Sequence, residues 1–104
     1  MKRIHVLEPG GPQAMTMADV PVPTPGPGQA LVKLAASGVN FIDVYFRTGL
    51  YKAESPITLG SEGAGTVERV GADVTDVAPG DRVAYAMARG SYAEYATVPA
   101  AQLV

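Results

Sequence analysis

The chain has 104 residues, enough for one domain with a modest core, and its formal net charge is −2 without any basic cluster. This charge pattern argues against a nucleic-acid surface or a polybasic membrane patch, because both need clustered Lys and Arg. No apolar run approaches the roughly 20 residues that span a bilayer. The N-terminus also lacks a signal-peptide core, so we expect a cytoplasmic protein.

Residues that bind metals are scarce in this chain. Cysteine is absent, and His5 is the only histidine. Zinc is held by three or four Cys, His or carboxylate side chains. We therefore expect no metal site, and we expect His5 to be a surface residue.

Twelve Gly and nine Pro favour a small β-rich domain with many turns over a helical bundle. Residues 2–7 alternate between apolar and polar and predict a first strand. A Pro-Gly-Gly-Pro turn at 9–12 and a returning strand at 15–20 complete an N-terminal hairpin. The proline-rich segment 20–28 cannot form a central strand, and it predicts an extended connector.

The middle of the chain predicts a strand followed by a short helix. Residues 29–36 alternate, with Ala30, Val32 and Leu34 on one face. The period then changes, and residues 41–48 predict a helix with Asn40 as its N-cap and Gly49 as its C-terminal stop.

Three further strands are predicted, over residues 63–70, 82–86 and 91–98, the last ended by Pro99. The total is six or seven short strands with one short helix. This count predicts a mainly β fold, either a small barrel or a sandwich.

The glycine-rich segment Gly60–Gly65 resembles a phosphate loop only superficially. Its spacing lacks the third glycine of the dinucleotide fingerprint, and it begins a strand where that fingerprint begins a helix. We interpret it as a close approach of two backbones. Glu62 within it is expected to be partly buried, either anchored by Arg82 or by backbone donors, or lining a site.

The candidate functional residues cluster in and after the predicted helix. Asn40 either caps the helix or projects a donor and an acceptor into a cleft. Tyr45 either packs or lines that cleft, and the loop residue Tyr51 can donate its hydroxyl to a carbonyl oxygen. Asp43 and Arg47 are four residues apart, which predicts a local ion pair, although Arg47 can also face a negatively charged ligand.

These residues carry a resemblance over essentially the whole chain. The segment Gly38–Asp43, together with the later Gly80-Asp81-Arg82-Val83, resembles the N-terminal GroES-like catalytic domain of the medium-chain dehydrogenase/reductase superfamily. Within this superfamily the chain resembles the quinone oxidoreductase (zeta-crystallin-like) family. The further positions that match that family are Tyr45, Arg47, Gly49, Tyr51, Gly60, Glu62, Ala64 and Gly65. The resemblance implies a partly open β-barrel with one or two short helices.

The resemblance also implies a reaction. Zinc-dependent alcohol dehydrogenases of the superfamily have Cys at the position of Asn40 and His at that of Ser61, and their structural-zinc cysteines fall near residues 88–92. This chain is similar to the zinc-free branch, in which NADPH supplies hydride to quinones or conjugated carbonyls. The resemblance then implies that Asn40 and Tyr51 are catalytic, and that Asn40, Tyr45 and Tyr51 bind the cofactor. It implies that Asp43, Arg47 and Glu62 line the substrate cleft.

The family's enzymes have two domains, and this chain matches one. We expect residues 1–104 to be a truncated catalytic domain without the Rossmann domain that binds most of NADPH, and to be inactive alone. The full-length parent is expected to be a homodimer that acts on a small molecule and binds no nucleic acid or membrane. Two other interpretations stay open, an enoyl or enone reductase and a non-catalytic GroES-like binding module.

Overall fold

Seven β-strands, one α-helix and two single-turn 3-10 helices make up the computed structural model, which describes all 104 residues. The 3-10 helices cover Pro12–Ala14 and Ala100–Gln102. The strands and the helix, in chain order, are β1 Lys2–Val6, β2 Met15–Asp19, β3 Gln29–Ser37, α1 Phe41–Thr48, β4 Ile57–Thr58, β5 Glu62–Val70, β6 Arg82–Ala86 and β7 Tyr95–Pro99.

The strands form two antiparallel sheets, in the orders β2-β1-β4 and β6-β5-β3-β7. The segment before β7 joins them, because the Ile4 N–H donates to the Tyr92 carbonyl (2.8 Å) and the Glu94 N–H donates to the Lys2 carbonyl (3.1 Å). The mainly β, partly open GroES-like architecture predicted from the sequence is confirmed. The N-terminal hairpin is confirmed too, with Lys2 opposite Asp19 and Val6 opposite Met15.

The predicted strand over residues 91–98 is too long at its start. Only Tyr95–Pro99 lies in the sheet as β7, paired with β3. The preceding residues hydrogen-bond elsewhere: the Tyr92 N–H donates to the Leu59 carbonyl (3.1 Å), and residues 92–94 bond to β1. Alternation of side chains cannot distinguish these two sets of partners.

The core lies mainly within the four-stranded sheet. Its buried side chains come from the four strands of that sheet: Ala30, Val32, Val67, Val83, Tyr85, Ala96 and Val98. A smaller cluster of Val6, Ile57 and Leu59 lies under the first sheet. Leu31 is also buried, so the central strand β3 is covered on both faces in its first half. The only α-helix, α1, has eight residues, and no helix is of a length and apolarity to cross a membrane.

The glycines of β5 allow two strands to approach closely, as the sequence predicted. A Cβ built on Gly65 would overlap the backbone carbonyl oxygen of Lys33 on β3, and one on Gly63 would lie 2.8 Å from the Leu34 side chain. Both positions face β3 across the ladder. The glycine-rich segment therefore has a packing role at this crossing.

Replacing Gly65 by Ala should lower the free energy of unfolding by about 1–3 kcal/mol, because the added methyl group meets backbone that cannot rotate away. Urea denaturation of the two proteins measures this difference. Gly10→Ala is the control, since its nearest atom would be the Ala14 Cβ at an ordinary 3.5 Å. Equal midpoints for Gly65→Ala and the parent chain would contradict the close approach.

Candidate functional site

A cleft of about 500 Å³ opens between the start of α1, the start of β5 and the loop after β6. Four apolar side chains line it, from Ile42, Phe46, Ala86 and Met87. Four polar side chains complete the lining, from Asn40, Ser61, Glu62 and Arg89. Mostly apolar concave surfaces with a few converging polar groups are typical of small-molecule sites. Asn40 and Glu62 are the two sequence-predicted residues that line this cleft.

The buried carboxylate of Asp43 holds the walls of the cleft together. Asp43 is only 5% exposed and accepts three hydrogen bonds. The donors are the Asn40 N–H to Oδ2 (3.0 Å), the Gly60 N–H to Oδ1 (3.1 Å) and the Tyr92 hydroxyl to Oδ2 (2.8 Å). These donors belong to three separate segments, two of which continue into cleft residues. Asp43 itself lies beneath the cleft and does not line it.

Tyr92 has a strongly perturbed hydroxyl. Burial, together with the hydrogen bond and negative charge of Asp43, raises the pKa of Tyr92 to about 12. Each of these effects disfavours the phenolate, since burial removes water and the carboxylate repels a second negative charge. Tyr92 therefore stays a hydrogen-bond donor across the physiological pH range.

Helix α1 begins after Asn40 and ends at Gly49, as predicted. Gly49 adopts the left-handed conformation (φ 88°) that glycine tolerates best. The apolar positions of the helix do not all turn inward, because the buried side carries Asp43, whereas Phe41 is 81% exposed. The helix therefore presents apolar surface to solvent and a carboxylate to the interior.

An aromatic group borders the cleft. The Tyr51 ring meets the rings of Tyr45 and Phe46 edge to face, with centroids 5.4 and 5.7 Å apart. The Tyr51 N–H donates to the Tyr45 carbonyl (3.1 Å), which fixes the loop against the helix. Phe46 lines the cleft, Tyr51 borders it through its contact with Phe46, and Tyr45 contacts Tyr51. Both tyrosines are exposed.

The ion pair predicted between Asp43 and Arg47 is wrong. The Arg47 guanidinium donates to the Gly10 carbonyl (2.8 Å), and the single salt bridge of the structure joins Lys2 to Asp19. The Asp43 carboxylate bonds instead to Gly60 and Tyr92. Arg47 thus lies outside the cleft lining.

Glu62 is exposed, contrary to the predicted partial burial, and forms no ion pair with Arg82. It is the first residue of β5, at the end of the sheet, where small neighbours leave the side chain open to solvent. Its carboxylate lies against Gly38, where an added Cβ would overlap it.

The residues do not assemble a metal site. No group of three or more His, Cys, Asp or Glu side chains has the arrangement that holds a metal ion. His5 lies on β1, where its Nδ1 accepts a hydrogen bond from Arg3 Nε (3.2 Å). Asn40 and Ser61, however, line the same cleft.

Six of the eight residues that line the cleft were not predicted as site residues, and the sequence signals for three of them are weak. Met87 lies just after β6 with φ 67°, which no pattern predicts for methionine. Arg89 places its guanidinium carbon 4.5 Å from the Phe46 ring centroid, a contact between residues far apart in sequence. Ser61 stood out only by comparison with the zinc-dependent enzymes.

The fold and its cleft define a GroES-like domain of the alcohol dehydrogenase type. Residues 26–104 match the family model described as the alcohol dehydrogenase GroES-like domain. Since the match covers most of the chain, the chain belongs to this family.

Known relatives share this domain. A quinone oxidoreductase of Pseudomonas aeruginosa is 47% identical over 99% of this chain and 32% of its own length, and a 2-haloacrylate reductase of Burkholderia sp. is 41% identical over 91% and 30%. The crystal structure of Escherichia coli quinone oxidoreductase with NADPH superposes with a TM-score of 0.97 at 36% identity, over all of this chain and 32% of the other. The chain thus spans about a third of the length of these relatives.

Asp43→Asn should lower the free energy of unfolding by about 2–3 kcal/mol. The NH2 group of the new amide cannot accept a hydrogen bond, so it faces a donor of the protein where a carboxylate oxygen had accepted. Chemical denaturation measures the loss, with the exposed Asp76→Asn as the matched control. A double-mutant cycle with Tyr92→Phe should give a coupling energy of about 1–2 kcal/mol. Additive losses would show that the two groups do not interact.

Stability should fall in strongly alkaline solution through Tyr92. Its pKa in the folded chain, about 12, lies above the ordinary tyrosine value of about 10. The stabilisation is therefore complete below about pH 10 and is lost as the pH rises through about 12. Carbon-13 NMR of the tyrosine Cζ atoms should show Tyr92 titrating at about pH 12, and Asp43→Asn should lower the pKa of Tyr92. A Tyr92 signal that titrates near the ordinary tyrosine value of about 10 would contradict the contact.

Proposed function

We propose that residues 1–104 form the catalytic-side domain of an NADPH-dependent, zinc-independent quinone oxidoreductase that acts together with a Rossmann cofactor domain. The observation that carries the proposal is the cleft, which brings Asn40 and Ser61 together beside an aromatic group. Membership of the family and the NADPH complex of the E. coli enzyme support it. We further propose a cytoplasmic protein whose full-length form is a homodimer.

The donor set of the cleft fits a nicotinamide ring. The Asn40 side chain offers both a donor and an acceptor, which match a carboxamide, while Ile42 and Phe46 supply apolar surface for a flat ring. The bound cofactor supplies a hydride. The ribose and phosphate groups need further binding residues, which a second domain provides in this proposal.

The chain's own residues bind and orient the substrate. The Tyr51 hydroxyl makes no hydrogen bond within the protein and is 46% exposed at the edge of the cleft. It is free to donate to a substrate carbonyl oxygen and to stabilise the negative charge that develops there, the role that a Lewis acid has in zinc enzymes. Asp43 fixes Asn40 and the Gly60–Glu62 segment, so its part is to position the wall of the cleft.

A second candidate is reduction of a carbon–carbon double bond conjugated to a carbonyl group. The relative named 2-haloacrylate reductase favours it, and the same cleft and the same hydroxyl serve this reaction. Both reductions consume one hydride and one proton. The substrate distinguishes them, with a quinone in one and an enone or enoate in the other.

Fluorescence titration should show that NADPH binds more weakly to the 104-residue chain than to a longer form that extends into the proposed cofactor domain. We expect the longer form to bind NADPH and reduce a quinone, and the 104-residue chain to bind weakly and turn nothing over. In the longer form, Tyr51→Phe should lower kcat/KM about tenfold, since it removes one donor to the developing oxyanion. Tyr95→Phe on β7 is the matched control.

Two outcomes would overturn the proposal. Turnover of quinone by the 104-residue chain at the rate of the longer form would remove the need for a second domain. A longer form that binds no nucleotide and assembles into a defined oligomer would favour the non-catalytic binding module.

A further inference from the structure

The loop Met87–Gly90, which we name the selector loop, is held rigidly against the cleft. Its Ala88 N–H donates to the Ser61 carbonyl (3.3 Å), and its Gly90 N–H donates to the Gly60 carbonyl (3.0 Å). Met87 and Gly90 both have positive φ, at 67° and 112°. A left-handed methionine costs conformational energy and persists where its surroundings enforce it.

This backbone presents two side chains of different chemistry. Met87 is 79% exposed and lines the cleft with its flexible thioether chain. Arg89 lines the same cleft, and its guanidinium carbon lies 4.5 Å from the Phe46 ring centroid. Because Phe46 is itself a wall residue, the contact keeps the cationic head at the cleft.

Arg89 is the only cationic side chain of the cleft, and it has no anionic partner. The salt bridge of the chain joins Lys2 and Asp19, and the Arg89 guanidinium contacts the face of the Phe46 ring. An arginine fork binds a carboxylate bidentately. Its donors are therefore free for a ligand carboxylate.

Glu62 is the only other charged residue in the lining, and its negative charge opposes an anionic ligand. Its carboxylate, however, lies against Gly38, at the boundary with a neighbouring cavity that Gly38 and Glu62 both line. The two charges do not pair. The cleft thus has an acidic side next to Gly38 and a basic side next to Phe46.

We propose that the selector loop makes this cleft specific for conjugated carbonyl compounds that carry a carboxylate, with Arg89 binding that carboxylate and Met87 packing on the hydrocarbon part. The inference rests on the proposed function and names its substrate class. The reduction adds a hydride from the reduced nicotinamide to one alkene carbon and a proton to the other. The carboxylate is bound and stays chemically unchanged.

Binding to the 104-residue chain tests the proposal without turnover. The probes are 3-benzoylacrylate, an enone with a carboxylate, and its neutral carboxamide. Titrations followed by NMR of backbone and arginine N–H groups should show tighter binding of the carboxylate, with shifts at Arg89. Arg89→Gln should weaken binding of the carboxylate about fivefold, as expected for one partly exposed ion pair. The variant should then bind the carboxylate and the carboxamide with nearly equal dissociation constants.

Three further variants separate charge from structure. Arg89→Lys should recover part of the affinity, because it keeps the charge and loses the fork. Glu62→Gln should strengthen carboxylate binding by removing a repulsive charge. Arg69→Gln, on β5 and outside the cleft, is the matched control and should bind both probes like the parent chain.

The possible outcomes distinguish the two proposals. In the longer form, kcat/KM for the carboxylate should exceed that for the amide, and Arg89→Gln should reduce this ratio about fivefold. A longer form that reduces neutral quinones but shows equal kcat/KM for both probes would overturn the substrate class alone. Failure to reduce any quinone or enone would overturn the proposed function. Equal binding of both probes by the 104-residue chain would also contradict the role of Arg89.

Discussion

The arrangement of the cleft depends on one buried carboxylate. Asp43 lies on the inner side of α1 and accepts hydrogen bonds from the start of the helix, from Gly60 and from Tyr92. A buried carboxylate is costly unless its oxygens are bonded, so these three segments are constrained to keep their donors in place. The same constraint sets where Asn40, Ser61 and Glu62 meet.

A second layer of support is the backbone around Gly60. Gly60 has φ 91°, and a side chain there would overlap the buried Ser91 hydroxyl. Its N–H bonds to Asp43, and its carbonyl accepts from Gly90, so one residue links the helix to the selector loop. Rigid elements position sites more accurately than free loops do, and here the loop gains rigidity from such backbone bonds.

Local patterns predicted the scaffold well and the site only in part. The bounds of α1 followed from Asn40, Gly49 and the change of period, because capping and glycine conformations are local effects. The role of Asp43 did not follow, since the i,i+4 rule considers only its own helix, whereas two of its partners come from distant segments. Glu62 was misjudged because small neighbours indicate a close approach without showing which side faces solvent.

The selector loop shows most clearly which features the sequence could not predict. Neither the left-handed backbone of Met87 nor the contact of Arg89 with Phe46 has a sequence signature. Both depend on how β6 ends beside α1. The place of Asn40 in the cleft lining, in contrast, agrees with the sequence prediction that a helix N-cap after a strand projects into a cleft.

The strand order has a kinetic consequence. The central strand β3 lies between β5 and β7, both of which come much later in the chain. Its pairings close long loops, and such non-local contacts slow folding. During synthesis on the ribosome, β3 therefore has no strand partner until β5 has emerged, and its other edge stays unpaired until β7 follows. The N-terminal hairpin, whose strands are neighbours, can form well before that.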